Sequence, residues 1–150
     1  MKKSFGIVIL LLILGCLGLF LLIQLVPYGH NHTNPPVVQE PAWASPQARE
    51  IAKRACFDCH SNETTWYWYT NIAPFSWLVQ NDVDEGRRRL NFSEWNRRHE
   101  IEEIGKVLQE GEMPPLQYAL IHPSSRLSAE EQQVLLNGLG ITAWGGGGDD

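Results

Sequence analysis

From Phe5 to Val26 the chain runs 22 residues without one charged side chain, and the only distinctly polar position inside that run is Gln24. Wound as a helix at about 1.5 Å per residue, the run reaches about 33 Å, enough to cross a hydrocarbon layer of about 30 Å. The apolar core of a cleaved export signal is shorter, about 7–15 residues, and ends in a small-residue cleavage site, which this stretch lacks. A lipid-modification reading would use Cys16, but Leu14 is bulky where a small residue is expected and Leu17 to Leu25 continue the apolar run. Residues 1–26 therefore read as a retained membrane anchor, with residues 5–26 as the span in the lipid bilayer.

The pattern changes at Pro27. Between Pro27 and Ala44 four prolines (Pro27, Pro35, Pro36 and Pro41) stand among small and polar residues with no helical or strand period, so 27–44 reads as an extended linker. His30 and His32 lie in it and read as solvated polar residues rather than a metal pair. Helical spacing then begins. Ser45-Pro46 supplies a cap and a first-turn proline, and Ala48, Ile51, Ala52 and Ala55 fall at i, i+3, i+4 and i+7. Ala73-Pro74 opens a second helix from Phe75 to Leu90, whose end carries Arg87, Arg88 and Arg89, where cations suit the helix dipole. Ser93-Glu94-Trp95 makes a turn. Ile101, Ile104, Val107 and Leu108 set a stripe that stops at Gly111, and Ser128 with Glu131 forms a capping box before Val134, Leu135 and Leu136. Only Trp66 to Tyr69 resembles a strand. The pattern predicts an all-α domain over 45–142, followed by a flexible Gly/Asp tail, 143–150.

Charge adds an orientation. Lys2 and Lys3 precede the span, and no Lys or Arg follows it until Arg49, which places the body outside the cytoplasm. That body carries 10 basic against 17 acidic residues, a net charge near −7. Nucleic acid is thereby excluded as a partner, and a basic docking surface on a partner protein fits. Three cysteines, one of them within the apolar run, exclude a disulfide framework.

The chemistry concentrates in Cys56-Phe57-Asp58-Cys59-His60. A structural zinc site needs four ligands, and the other histidines stand isolated at 30, 32, 99 and 122. A thioredoxin-like dithiol opens a helix after a strand, whereas here a helix precedes the motif. Covalent haem uses every residue of the motif: Cys56 and Cys59 can add to the two vinyl groups, and the adjacent His60 can reach the iron from one side. Its second ring nitrogen is then expected to donate to a backbone carbonyl. Met113, the only methionine besides Met1, precedes Pro114 and Pro115 in a loop and is the expected distal ligand; His122 is the runner-up. The aromatic residues Trp66, Tyr67, Trp68, Tyr69, Trp77 and Trp95 can wall a haem or pack helices. Arg87, Arg88 and Arg89 can reach propionates, although a solvated helix face is the better reading.

The segments CFDCHSNETTWYWYTNIAPFSWLVQNDVDEGRRRLNFSEW and GEMPPLQYALIHPSSRLSAEE resemble the bacterial haem-binding domain family related to class I c-type cytochromes, across about residues 46 to 140. The resemblance implies one covalently bound haem c, a cytochrome c-like helical fold and a membrane-attached or periplasmic setting. The expected function is that of a monohaem c-type cytochrome domain, tethered to the outer face of a bacterial cytoplasmic membrane. It would pass single electrons between redox proteins through iron held by His60 and Met113, and would not act as an enzyme. The competing class is a haem enzyme or a sensor of peroxide or gas with an open distal position, for which His99 or His122 would be recruited. A third is a haem-bearing structural subunit of a larger membrane complex.

Overall fold

The computed structural model of the chain describes residues 2–97 and 101–141. His99 and the tail 143–150 lie outside the described residues. Among those described there are seven α-helices and no β-strand: α1 Lys2–Ile23, α2 Pro46–Ala55, α3 Phe57–His60, α4 Phe75–Arg89, α5 Ile101–Gln109, α6 Leu116–Ile121 and α7 Ala129–Gly138. Two short 3₁₀ turns, Trp68–Asn71 and Pro123–Ser125, complete the set. The all-α expectation is met, and the strand-like alternation of Trp66 to Tyr69 runs instead into the first 3₁₀ turn.

Internal contacts divide the chain into two units. One holds the described residues of 1–33 and 66–82, the other those of 34–65 and 83–150. In the first unit, Ser4–Ile23 of α1 is long and apolar enough to cross a membrane, and none of it is buried by the rest of the protein. Beyond it the chain lies against its own later segment. Gln24 exchanges two hydrogen bonds with the backbone of Ala73, its amide donating to Ala73 O at 3.0 Å and its carbonyl accepting from Ala73 N at 2.9 Å. Gly29 has φ +81° and lies so close to Ser76 that a Cβ would stand 2.2 Å from the Ser76 carbonyl oxygen. Only glycine meets both demands. His32, expected as a solvated residue, stacks on Trp66 with ring centroids 4.5 Å apart. Its Nε2 is 3.1 Å from the carbonyl oxygens of Gly29 and Thr70, both acceptors, so that nitrogen carries the hydrogen.

The second unit is built on α2 and α7. Ser45 caps α2 by accepting from Ala48 N at 3.2 Å, and Ser128 caps α7 in the expected reciprocal box with Glu131. The two helices meet where Ala48 faces Gly138: a Cβ on Gly138 would come within 2.2 Å of the Ala48 methyl. Around this contact Ile51, Ala52, Phe57, Phe92, Ile104, Leu108, Leu135 and Leu136 form the buried core. Arg54 of α2 pairs with Glu131 of α7 at its edge.

Part of the proline-rich stretch belongs to this unit, so it is not a free linker throughout. Ser93 O accepts from Val38 N and Gln39 N, and Gln39 O accepts from Trp95 N at 2.9 Å, with Gln39 and Glu94 forming an isolated parallel bridge. Trp43 enters the core with its ring 5.5 Å from that of Phe92, and Glu40 takes two hydrogen bonds from Arg49. Proline removes backbone donors but leaves carbonyls and apolar rings, which is enough for an extended chain to be laid on a domain.

Gly138→Ala is expected to destabilise the protein by about 1–3 kcal/mol through overpacking at Ala48. Thermal or urea unfolding of the variant would measure it, and an unchanged midpoint would show that α2 and α7 separate without cost.

Candidate functional site

Helix α2 delivers the chain into the cysteine motif as expected, and the motif itself continues as one tight turn. Cys56 N donates to Ala52 O at 2.8 Å, and Cys56 O then accepts from Cys59 N at 3.1 Å and His60 N at 2.8 Å. The two thiols and the imidazole thus ride on a single turn. The residues between the cysteines hold it at two points. Phe57 is buried, with its ring 5.4 Å from Phe92. Asp58 accepts from Thr65 N at 2.9 Å and from the Tyr118 hydroxyl of α6 at 2.6 Å.

His60 is oriented by α4. Its Nδ1 lies 3.1 Å from Gly86 O and 3.1 Å from Leu90 O. Carbonyl oxygens only accept, so Nδ1 carries the proton, shared between two acceptors, and Nε2 keeps the lone pair. This is the arrangement expected of a ligating imidazole. Burial holds the His60 pKa below its usual value; the carbonyls of Leu90 and Gly86 oppose that shift and the charge of Arg89 adds to it. The ring is therefore neutral at pH 7. Burial also pushes the Cys56 thiol up to about 12, so it is a thiol rather than a thiolate.

The approach of α4 depends on Gly86. A Cβ there would stand 2.3 Å from Cys59 O, so only a residue without a side chain lets the helix backbone lie on the turn. One residue on, Arg87 donates from Nε to Ser61 O at 2.8 Å and from Nη2 to Thr64 Oγ1 and Asn34 Oδ1 at 2.9 Å each. Arg87 thus ties down the chain that leaves the motif, while Arg88 and Arg89 pair with Glu85 on an exposed face. Beneath them runs a buried polar ladder. Ser93 Oγ accepts from Asn62 N, Asn62 Oδ1 from Asn91 Nδ2, and Asn91 Oδ1 from Ser93 N, each at 2.9 Å, while Phe92 N donates to His60 O at 2.8 Å.

Met113 follows the end of α5. Gly111, with φ +69°, reverses the chain so that Val107 O accepts from both Glu112 N and Met113 N, which anchors the backbone of Met113. The side chain is 37% exposed. After it, α6 leaves Leu116, Leu120 and Ile121 exposed, an apolar surface that calls for cover. His122 stacks on Tyr118 with ring centroids 4.5 Å apart. Of the aromatic candidates for a haem wall, Trp95 belongs to the second unit, stacked on Phe92 at 5.8 Å. The other five belong to the first unit, where the indole N–H groups of Trp66 and Trp77 are buried without a hydrogen-bond partner and Trp68 is exposed.

Residues 18–140 match the family model described as a haem-binding domain. The chain belongs to the haem-binding domain family. No curated protein and no solved structure matches it. Haem is therefore the cofactor of this domain, and the residues present fit it: a neutral imidazole with its tautomer set by two carbonyls, in the same turn as two thiols. Among the described residues, no three or more His, Cys, Asp or Glu side chains converge as a site for a metal ion.

The spacing of Cys56, Cys59 and His60 singled them out in the sequence, and the structure places all three on one turn. Sequence reasoning missed Gly86, Asp58 with Tyr118, and the asparagine ladder, because each acts through a partner 26 to 60 residues away. The one available signal was the glycine inside a helix, which is costly there unless a close contact requires it.

Gly86→Ala is expected to lift α4 from the turn, loosen the Nδ1 hydrogen bonds and lower haem retention by about 10–100-fold. Haem per chain, measured as the pyridine haemochrome, would show it; wild-type haem content in the variant would mean that α4 does not hold His60.

Proposed function

We propose that this haem-binding domain is a monohaem c-type cytochrome domain that transfers single electrons. The observation that carries the reading is the His60 ring, with Nδ1–H held by the carbonyls of Gly86 and Leu90, on one turn with Cys56 and Cys59. Each thiol would add across one vinyl group, forming an S–C bond while the proton passes to the neighbouring carbon, with no net oxidation and no leaving group. His60 Nε2 and the Met113 thioether would hold the iron. Haem, when bound, supplies an iron that changes by one electron, and an imidazole opposite a thioether sets a high potential.

The chain's own residues keep that electron change simple. Asp58 and Phe57 hold the attachment turn at two points, and the Gly86 and Leu90 carbonyls stop the imidazole from rotating. The anchored backbone of Met113 and the exposed apolar side chains of α6 offer a thioether and an apolar cover from one segment. Fixed ligands suit an electron carrier rather than an enzyme. The apolar stretch Ser4–Ile23 of α1, with Lys2 and Lys3 before it, supports a single-pass tether in a bacterial inner membrane with the domain on the periplasmic side. The acidic balance beyond Val26 supports redox partners that dock through basic surfaces.

One observation favours the second reading, a haem enzyme or sensor with an open distal position: the side chain of Met113 is 37% exposed rather than packed. The two readings differ in what Met113 does.

Haem is expected to stay with the protein in acidified acetone, and Cys56→Ala or Cys59→Ala to reduce the haem-loaded fraction sharply; extraction of haem into the solvent would rule out thioether attachment. The oxidised protein is expected to show the weak near-infrared sulfur-to-iron band. Met113→Ala should lose that band, lower the potential and bind carbon monoxide. If Met113→Ala changes none of these while His122→Ala does, His122 is the ligand; if the wild type already binds carbon monoxide, the distal position is open.

A further inference from the structure

The first unit carries large apolar side chains that are exposed to solvent. Trp68 is 77% exposed, Phe75 55%, Leu78 59% and Tyr28 47%. Phe75 and Leu78 stand at i and i+3 of α4 and so share one face. Exposed large apolar side chains gathered in one place mark an interaction surface, and the contacts of this unit say which one.

The surface is continuous with the end of the apolar helix. Gln24 follows α1 by one residue, its amide still bonded to Phe20 O in the last turn, and the same side chain makes the paired hydrogen bonds to the backbone of Ala73. Two Cα steps separate Ala73 from Phe75, no more than about 7 Å. Gly29 pressed against Ser76, and His32 bonded to Thr70 O and stacked on Trp66, continue the same seam. Residues 24–32 and 66–76 therefore pack together as a collar just beyond the last turn of α1. The polar layer of a bilayer beyond its hydrocarbon is about 5–7 Å deep on each side, so this collar stands at headgroup level when Ser4–Ile23 spans the hydrocarbon. Tryptophan, tyrosine and phenylalanine are the residues that settle there.

The geometry points to a second membrane contact: Tyr28, Trp68, Phe75 and Leu78 seat the collar in the interface of the bilayer that α1 crosses. This rests on the reading of α1 as a retained span. The contact is apolar rather than electrostatic, because neither 4–33 nor 66–82 contains a lysine or an arginine. It therefore takes neutral lipid as readily as anionic lipid and is insensitive to salt. Anchoring at two points of one unit, instead of one, restricts the tilt of the segment that leads toward the haem domain.

The test uses the full-length protein in vesicles of neutral phosphatidylcholine carrying a lipid with a photoreactive group near the glycerol, followed by mass-spectrometric mapping of the crosslinks. Labelling is expected both in Ser4–Ile23 and in the peptide that holds Trp68, Phe75 and Leu78, and the second should persist in high salt. Combined replacement Trp68→Ser, Phe75→Ser, Leu78→Ser should reduce the second label to background and leave the first; these side chains are exposed, so the fold is kept. Label in α1 alone would overturn the interfacial contact and leave the span intact. Label in neither would overturn the span, and the contact with it. A second label that requires anionic lipid, or vanishes in salt, would overturn the apolar mode of contact.

Discussion

A single imidazole N–H shared between the carbonyls of Gly86 and Leu90 is the constraint on which the haem-binding unit depends. It sets the tautomer of His60 and leaves one ring nitrogen basic. Burial keeps that ring neutral, and the cost of burial is limited because the buried donor is satisfied twice over. For the carbonyls to be there, the last turns of α4 must lie directly on the cysteine turn, and a residue larger than glycine at position 86 would collide with Cys59 O.

The rest of the unit keeps those two pieces in register. Phe57 and Phe92 bring the turn and the chain after α4 into one aromatic cluster with Trp43 and Trp95. Buried asparagines and serines then satisfy the backbone where the chain has no helix to do it, and Arg87 reaches across to Ser61, Thr64 and Asn34. A closed polar network of this kind specifies one arrangement, since any slip leaves buried groups unpaired. α2 and α7, locked by the small residues Ala48 and Gly138, form the floor on which it stands.

The apolar helix and its collar solve a different problem. Gln24, Gly29 and His32 turn what composition suggests is a loose tether into a fastened one, by giving each polar side chain a backbone partner. Proline-rich chain from Pro35 onward is likewise held, through Asn62 donating to Pro36 O and through the bridge to Glu94. The apparent linker is thus divided between the two units, its residues up to 33 in one and those from 34 in the other.

Local pattern was sufficient for several features of this protein because their causes are local. The apolar helix α1 follows from an uninterrupted apolar run, α2 and α7 from caps and from a 3.6-residue period, and the shared turn of Cys56, Cys59 and His60 from their close spacing. Met113 was legible only as the one methionine in a proline-stiffened loop, and its role remains tied to that chemistry. Tertiary structure decided what depends on residues distant in sequence: that Gly86 and Leu90 orient His60, that Tyr118 bonds Asp58, that His32 clamps Trp66, and that Trp43 leaves the linker for the core. Neither period nor composition can announce such pairings, because a hydrogen bond between side chain and distant backbone leaves no repeat in the sequence, and exists only once packing has brought the two ends together.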